Sequence, residues 1–116
     1  MTAPTRKPRE GDDPKRLAWV RSQRCAVCVL LGRAQLGRSN AQHPRGHEYG
    51  TGTGIKAADA DAWPLCGSGT TGCHGDWTNA TGHFKDWTKA ERQDFERGMV
   101  TFYRVLWRVK GRAEDE

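Results

Sequence analysis

Four cysteines constrain the fold of this 116-residue chain more than any other feature. They form two pairs: Cys25 and Cys28 are separated by two residues, and Cys66 and Cys73 by six. The first spacing is typical of a zinc knuckle, and three glycines between the second pair allow the wider loop to fold back on itself. Because four cysteine thiolates close a tetrahedral, structural zinc site, we predict that all four bind one zinc ion.

Two other interpretations of the cysteines are a redox-active pair and four free, buried thiols. No alternating strand and helix pattern surrounds Cys25 and Cys28, which argues against a thioredoxin-like site. No apolar run approaches the roughly 20 residues that cross a bilayer, and the N-terminus has no apolar stretch like that of a secretory signal. We therefore expect a reducing cytoplasm and no membrane partner, conditions in which paired cysteines bind metal more often than they form disulfides.

The composition also favours a metal-stabilised domain. Hydrophobic residues make up 35% of the chain, 14 residues are glycine, and the mean hydropathy is −0.85. A chain of this length forms one domain. Such a small, polar domain usually needs zinc or disulfides to supplement its core.

The net charge of +5 is concentrated in two arms. Residues 1–24 carry seven Lys and Arg against three acids, and residues 85–112 carry eight against four, whereas residues 25–84 carry four of each. A neutral centre between basic arms fits a compact site flanked by segments that contact phosphates. A solvated basic surface would explain the same charges equally well.

The pattern along the chain predicts an α+β domain between two charged tails. Residues 1–14 should form a disordered basic tail, because three prolines lie among their charges. Residues 113–116 should form an acidic tail. The domain between them, residues 15–112, should contain a short helix, two short strands, a second short helix and a long C-terminal helix. We place these elements at residues 15–24, 39–43, 60–65, 74–80 and from Thr88 onward.

The C-terminal helix has the clearest sequence signature. Thr88 followed by Glu91 three residues later predicts a capping box at its start. An apolar stripe at helical spacing follows, and we expect it to pack in the core. Its members are Phe95, Met99, Phe102 and Leu106.

The order of the cysteine and histidine motifs resembles the zinc-containing branch of the HNH endonucleases. Residues 65–75, LCGSGTTGCHG, are similar to HNH proteins of phages that infect actinobacteria. Residues 50–66 resemble the glycine-rich segment of Ref-like, recombination-associated HNH proteins. The resemblance covers residues 25–84, about half of the chain. It implies a ββα-metal finger, in which two short strands and a helix surround one catalytic divalent ion. The matching residues are Cys25-Ala-Val-Cys28, His43, Asp61, Pro64-Leu65-Cys66 and Cys73-His74.

The resemblance also implies roles for three residues. His43 would be the general base that takes a proton from the attacking water. Asp61, at the position of the family's asparagine, would orient His43 through a hydrogen bond. His74 would bind a catalytic Mg²⁺ or Mn²⁺ ion, which stabilises charge on the scissile phosphate.

Two positions depart from the family pattern. Gln42 stands where many members have a metal ligand before the base, and Thr78 stands where many have a second ligand on the helix. His83 is the nearest substitute. It could bind the catalytic ion if the helix ends before Gly82, and otherwise it would be an exposed histidine.

Several other side chains lie beside these motifs. Arg45 and Lys56 could contact DNA phosphates, although an ordinary surface position would explain both. Trp63, Trp77 and Trp87 flank the predicted zinc region, and we expect them to shield the metal rather than to stack on bases.

These features and the resemblance together predict a phage-encoded, metal-dependent HNH endonuclease that hydrolyses phosphodiester bonds in DNA. It would act in the host cytoplasm in phage DNA processing, packaging or recombination, with DNA and the proteins of those processes as partners. One alternative is a zinc-finger module that binds DNA without cleaving it. Another is an accessory protein whose activity depends on a partner.

Overall fold

A two-stranded sheet packed against four helices forms the part of the chain that the computed structural model describes, residues 11–50 and 57–111. This is the predicted α+β class. Most of the predicted basic tail, the acidic tail and Lys56 lie outside the described residues. The helices and strands are α1 (Pro14–Ser22), α2 (Ala26–Leu31), β1 (Ser39–Gln42), β2 (Trp63–Cys66), α3 (Gly72–Asn79) and α4 (Lys89–Leu106). Short 3₁₀ turns lie at His47–Tyr49, Asp59–Asp61 and Gly82–Phe84, and a π-helical segment at Trp107–Gly111 follows α4.

The two strands are antiparallel, and each end of their sheet leads to a candidate site. Ser39 lies opposite Cys66 at one end, and Gln42 lies opposite Trp63 at the other. All four residues of β2 are buried, because helices α1, α2, α3 and α4 all contact this strand. The chain leaves β2 at the cysteine end and leaves β1 at the end where His43 follows.

The residues just before α1 are part of the fold, which differs from the tail predicted for residues 1–14. The Asp13 side chain caps α1 by accepting a hydrogen bond of 3.1 Å from the backbone N–H of Arg16. The backbone N–H of Asp59 donates to the carbonyl of Gly11 at 3.0 Å. The N-terminal segment is therefore bonded to the turn that precedes β2.

The capping box predicted for α4 is confirmed. The backbone N–H of Glu91 donates to the Thr88 hydroxyl at 3.1 Å, and the backbone N–H of Thr88 donates to the Glu91 carboxylate at 2.8 Å. α4 contains 18 residues. No helix among the described residues is both long enough and apolar enough to cross a membrane.

The buried face of α4 is rotated from the predicted stripe. Phe102 is 54% exposed, so its predicted core position is wrong. The other three members of the stripe pack partly buried against the core. One residue corresponds to about 100° of rotation on a helix, so a face that buries Tyr103 turns Phe102 toward solvent. The buried residues of α4 are Glu96, Val100 and Tyr103.

An aromatic cluster joins β2, α3 and α4. The Trp63 ring is fully buried and meets the rings of Trp77 and Phe95 edge-on, at centroid distances of 5.3 and 5.8 Å. Its indole N–H donates to the buried carboxylate of Glu96 at 3.0 Å. Each such ring pair contributes about 0.5–1.5 kcal/mol beyond its buried area, so the cluster fixes the position of α3 against the sheet.

Candidate metal centre and histidine site

The four cysteines lie together as the sequence predicts. All four are buried, and their sulfur atoms lie within 4.8 Å of one another. Cys28 Sγ is 3.8 Å from both Cys66 Sγ and Cys73 Sγ. Zinc–sulfur bonds of about 2.3 Å in a tetrahedron place sulfur atoms about 3.8 Å apart. The four thiols are free rather than disulfide-bonded, and they form a possible metal site whose donors and spacing fit structural zinc.

Local backbone geometry brings the second pair of cysteines together. Cys66 ends β2 and Cys73 lies in the first turn of α3, and the loop between them is closed by backbone hydrogen bonds between Ser68 and Thr71. Gly72 has φ +64°, and a Cβ at this position would lie 2.6 Å from the Cys66 carbonyl oxygen. Only glycine fits this approach, which confirms that the glycine-rich loop folds back on itself.

Arg33 contacts the cysteine centre and was missed by the sequence analysis. Its Nη2 donates to Cys73 Sγ at 2.9 Å. Bonds to Cys28 and Cys73 raise the pKa of Arg33, so its guanidinium stays charged. Burial raises the pKa of the Cys73 thiol, and the hydrogen bond from Arg33 opposes that effect. A fixed cation at this position stabilises a thiolate ligand.

His43 follows β1 and lies against a buried carboxylate. Its Nε2 is 2.8 Å from Asp59 Oδ1, and the side chains are 21% and 3% exposed, respectively. The imidazole is therefore partly exposed to solvent, while its partner is buried. The carboxylate near His43 is that of Asp59, and Asp61 instead forms an ion pair with Arg104. The prediction that Asp61 orients His43 is wrong.

The backbone conformation explains why Asp59, rather than Asp61, contacts His43. The sequence predicts a strand at residues 60–65, but residues Asp59–Asp61 form a 3₁₀ turn and β2 begins only at Trp63. In an extended strand, residues two apart face the same side. A 3₁₀ helix has about three residues per turn, so the two aspartates point about 120° apart. Asp59 therefore faces His43 while Asp61 faces α4.

The N-terminal segment holds the Asp59 turn in place. Asp59 Oδ2 accepts a hydrogen bond of 2.7 Å from the backbone N–H of Asp13. Arg16 is 1% exposed, and its Nη1 donates to the carbonyls of Asp59 and Ala62 at 2.7 and 3.0 Å. Burial lowers the pKa of Arg16, although nearby acids oppose this effect. No sequence pattern indicates this role, because Arg16 is one of several cations in a basic segment.

The two histidines predicted to bind a catalytic ion lie in different environments. His74 is in the first turn of α3 and half-buried, and its Nδ1 has no hydrogen-bond partner among the described residues. His83 is exposed in the turn after α3 and packs against the rings of Phe84 and Trp87. Within residues 11–50 and 57–111, the cysteines are the one group of three or more metal-ligating side chains. A catalytic ion on His74 and His83 stays a prediction.

Gln42 and Thr78, the two positions that depart from the family's metal-ligand pattern, lie in different environments in the fold. Gln42 is buried, and its side-chain amide donates to the His43 carbonyl at 2.9 Å. Thr78 lies one turn after His74 and lines a cleft with Arg45, which is exposed two residues after His43. The structure therefore brings Arg45 close to both histidine-bearing segments.

Comparison with known proteins gives no relative for this arrangement. Family models, curated proteins and solved structures were compared with the chain, and none of the three comparisons found a match.

Proposed function

We propose that this protein is a metal-dependent endonuclease of the HNH type that hydrolyses phosphodiester bonds in DNA. The observation that carries the proposal is the accessible His43 held on the buried carboxylate of Asp59, at the opposite end of a two-stranded sheet from four clustered cysteines. Its phage origin and its role in DNA processing, packaging or recombination rest on the sequence resemblance.

His43 would act as the general base. An imidazole whose Nε2–H donates to Asp59 keeps Nδ1 available to accept a proton from water. The carboxylate then stabilises the imidazolium that forms, and it restricts the orientation of the ring. Because Asp59 is itself fixed by Asp13 and Arg16, this orientation costs little conformational entropy when substrate binds.

Two metals would have separate tasks. Zinc on the four cysteines would hold the fold, since a site closed by four thiolates has no open position for substrate. His74, whose Nδ1 has no partner among the described residues, would be a ligand of a catalytic Mg²⁺ or Mn²⁺ ion. Such an ion, when bound, stabilises charge on the phosphate and the leaving oxygen.

A second candidate is a zinc-finger module that binds DNA without cleaving it. The buried Gln42 amide, which bonds to the His43 carbonyl, supports this alternative because it occupies a position where a nuclease of this type would have a metal ligand. So does the lack of a three-ligand group around His74 among the described side chains. The basic residues would supply DNA affinity in either case, and that affinity should fall steeply with salt.

The deciding experiment is cleavage of supercoiled plasmid by zinc-loaded protein, with Mg²⁺, with Mn²⁺ or with no added ion, beside the His43→Ala variant. A nuclease should cut only with the added ion, and His43→Ala should lose about 10²–10⁴-fold in rate while retaining DNA binding. A His43→Ala variant that cuts as fast as the parent would refute the assignment of His43 as the general base. If neither protein cuts but both bind DNA in a salt-sensitive way, the zinc-finger module is the better description.

A further inference from the structure

A cleft of about 540 Å³ is lined by residues of the two segments that carry His43 and His74. It is bounded by the loop after His43, by α3 and by the first half of α4. Its volume falls within the range of about 300–1,000 Å³ that is common for small-ligand sites. Arg45 on one wall and Thr78 on another place it next to the two histidine-bearing segments.

The cleft is cationic. Arg45, Lys89 and Arg92 line it. Among the described residues that line it, Glu96 is the one acid, and this carboxylate is buried and accepts a hydrogen bond from the indole of Trp63. Three cations against one buried and bonded acid favour an anionic ligand, and a phosphate group suits them because arginine binds its oxygens through paired hydrogen bonds.

The cleft also has an aromatic wall. Trp77 is buried, but Trp87 is partly exposed, and both residues line the cleft. Edge-on contacts with Phe84 and Phe95, at 5.0 and 5.3 Å, hold the Trp87 ring in place. An indole ring that is fixed and partly accessible can stack on a nucleobase without being ordered on binding.

Arg92 is held rigidly between the aromatic and the cationic parts of the cleft. Its guanidinium lies 4.7 Å from the Trp77 ring centroid, and its Nη2 donates to the Trp77 carbonyl. Its Nε is buried and has no hydrogen-bond partner within the described part of the chain. The cleft therefore combines a fixed guanidinium with a fixed aromatic ring. The phosphate of one nucleotide would contact the guanidinium while its base contacts the ring.

We infer that this cleft binds one unpaired nucleotide of the DNA substrate, with its base against Trp87 and its phosphate on Lys89 and Arg92. The inference rests on the proposed function for the choice of DNA as the ligand. A base within a duplex is stacked and paired, and extracting it costs a few kcal/mol. The preferred substrate class is therefore DNA that already has an unpaired nucleotide, such as a bulge, flap or single strand. This role differs from the sequence-based expectation that Trp87 shields the metal.

The test measures binding without catalysis. Fluorescence anisotropy, with no added divalent ion, compares a labelled duplex with the same duplex carrying one unpaired nucleotide. We expect roughly tenfold tighter binding of the second, the size of one base–aromatic contact. Trp87→Leu should remove this preference and leave paired DNA unaffected, while Trp87→Phe should keep most of it. Equal affinity for the two DNAs in the parent would overturn the inference.

A charge substitution tests the same site if the Trp87 variants fail to fold. Lys89 and Lys85 are both exposed, but only Lys89 belongs to the cleft lining. Lys89→Glu should weaken binding of the unpaired DNA several-fold more than Lys85→Glu does; equal effects would contradict the site. Plasmid cleavage is measured in parallel. Cleavage without a preference for unpaired DNA would overturn this inference alone, and a preference without any cleavage would overturn the nuclease alone.

Discussion

The cysteine centre and the His43–Asp59 pair lie at opposite ends of the same two-stranded sheet, and they are assembled differently. The cysteines come from two short segments, each of which brings its own pair of thiols together. The Asp59 turn instead depends on Asp13 and Arg16, which are 46 and 43 residues away in sequence. Local spacing therefore forms each cysteine pair, whereas the position of the Asp59 turn depends directly on contacts with the N-terminal segment. Substitutions in the N-terminal segment should disturb only the His43–Asp59 pair.

The largest expected effect comes from breaking the cysteine centre. In small zinc domains the free energy of metal binding is folding free energy, about 10–16 kcal/mol near neutral pH. We therefore expect Cys66→Ser to lose bound zinc and its cooperative unfolding transition. Elemental analysis and the near-ultraviolet circular dichroism of the tryptophans measure these two properties. Ser68→Ala, at an exposed position in the same loop, is the control and should keep both. Cooperative unfolding of Cys66→Ser at the parental temperature would contradict a folding role for the centre.

The second prediction separates the two aspartates. Asp59→Asn replaces the carboxylate on His43 and should lower the cleavage rate by about 10²–10⁴-fold. Asp61→Asn removes the ion pair with Arg104, in which Arg104 is 45% and Asp61 is 11% exposed, and it removes a negative charge that acts on Arg16. Neither interaction touches His43, so the cleavage rate of this variant should fall far less than that of Asp59→Asn. Plasmid cleavage rates at saturating ion measure the difference. Equal losses of cleavage rate in the two variants would contradict the proposal that Asp59 orients His43.

Features that depend on neighbouring residues could be predicted from the sequence. The capping box needs only Thr88 and Glu91, and the loop between Cys66 and Cys73 needs only its spacing and its glycines. The choice between Asp59 and Asp61 could not be predicted, because it depends on whether three residues form a turn or a strand. That turn is bonded to Gly11 and to Arg16, which are distant in sequence, so no local pattern reports it.

The third prediction tests the distant contacts themselves. Arg16→Gln removes the guanidinium that donates to the carbonyls of Asp59 and Ala62. Leaving buried acceptors unpaired should cost about 1–3 kcal/mol of unfolding free energy, and the cleavage rate should fall with it because Asp59 loses support. Zinc content should be unchanged. Denaturant unfolding and metal analysis test this, with the exposed Arg21→Gln on the same helix as control. Loss of zinc from Arg16→Gln would show that the two ends of the sheet are not independent.

The smallest expected effect concerns Glu96, which joins α4 to β2 through the Trp63 indole. Burial raises the pKa of Glu96 above its ordinary value of 4.5, and the hydrogen bond from Trp63 offsets only part of this. Above the unfolded-state pKa the folded protein then holds more protons than the unfolded chain, so this group lowers stability as pH rises.

Glu96→Gln removes that dependence and keeps an oxygen that can accept from Trp63. We expect the variant to gain about 1 kcal/mol on the parent between pH 4.5 and neutral pH, the usual size of single-residue effects. Urea unfolding at several pH values measures the difference between the two proteins, which cancels the contribution of other acids. A constant difference across this range would mean that the Glu96 carboxylate is as well stabilised in the fold as in water. In that case this contact between α4 and β2 would impose no pH-dependent cost.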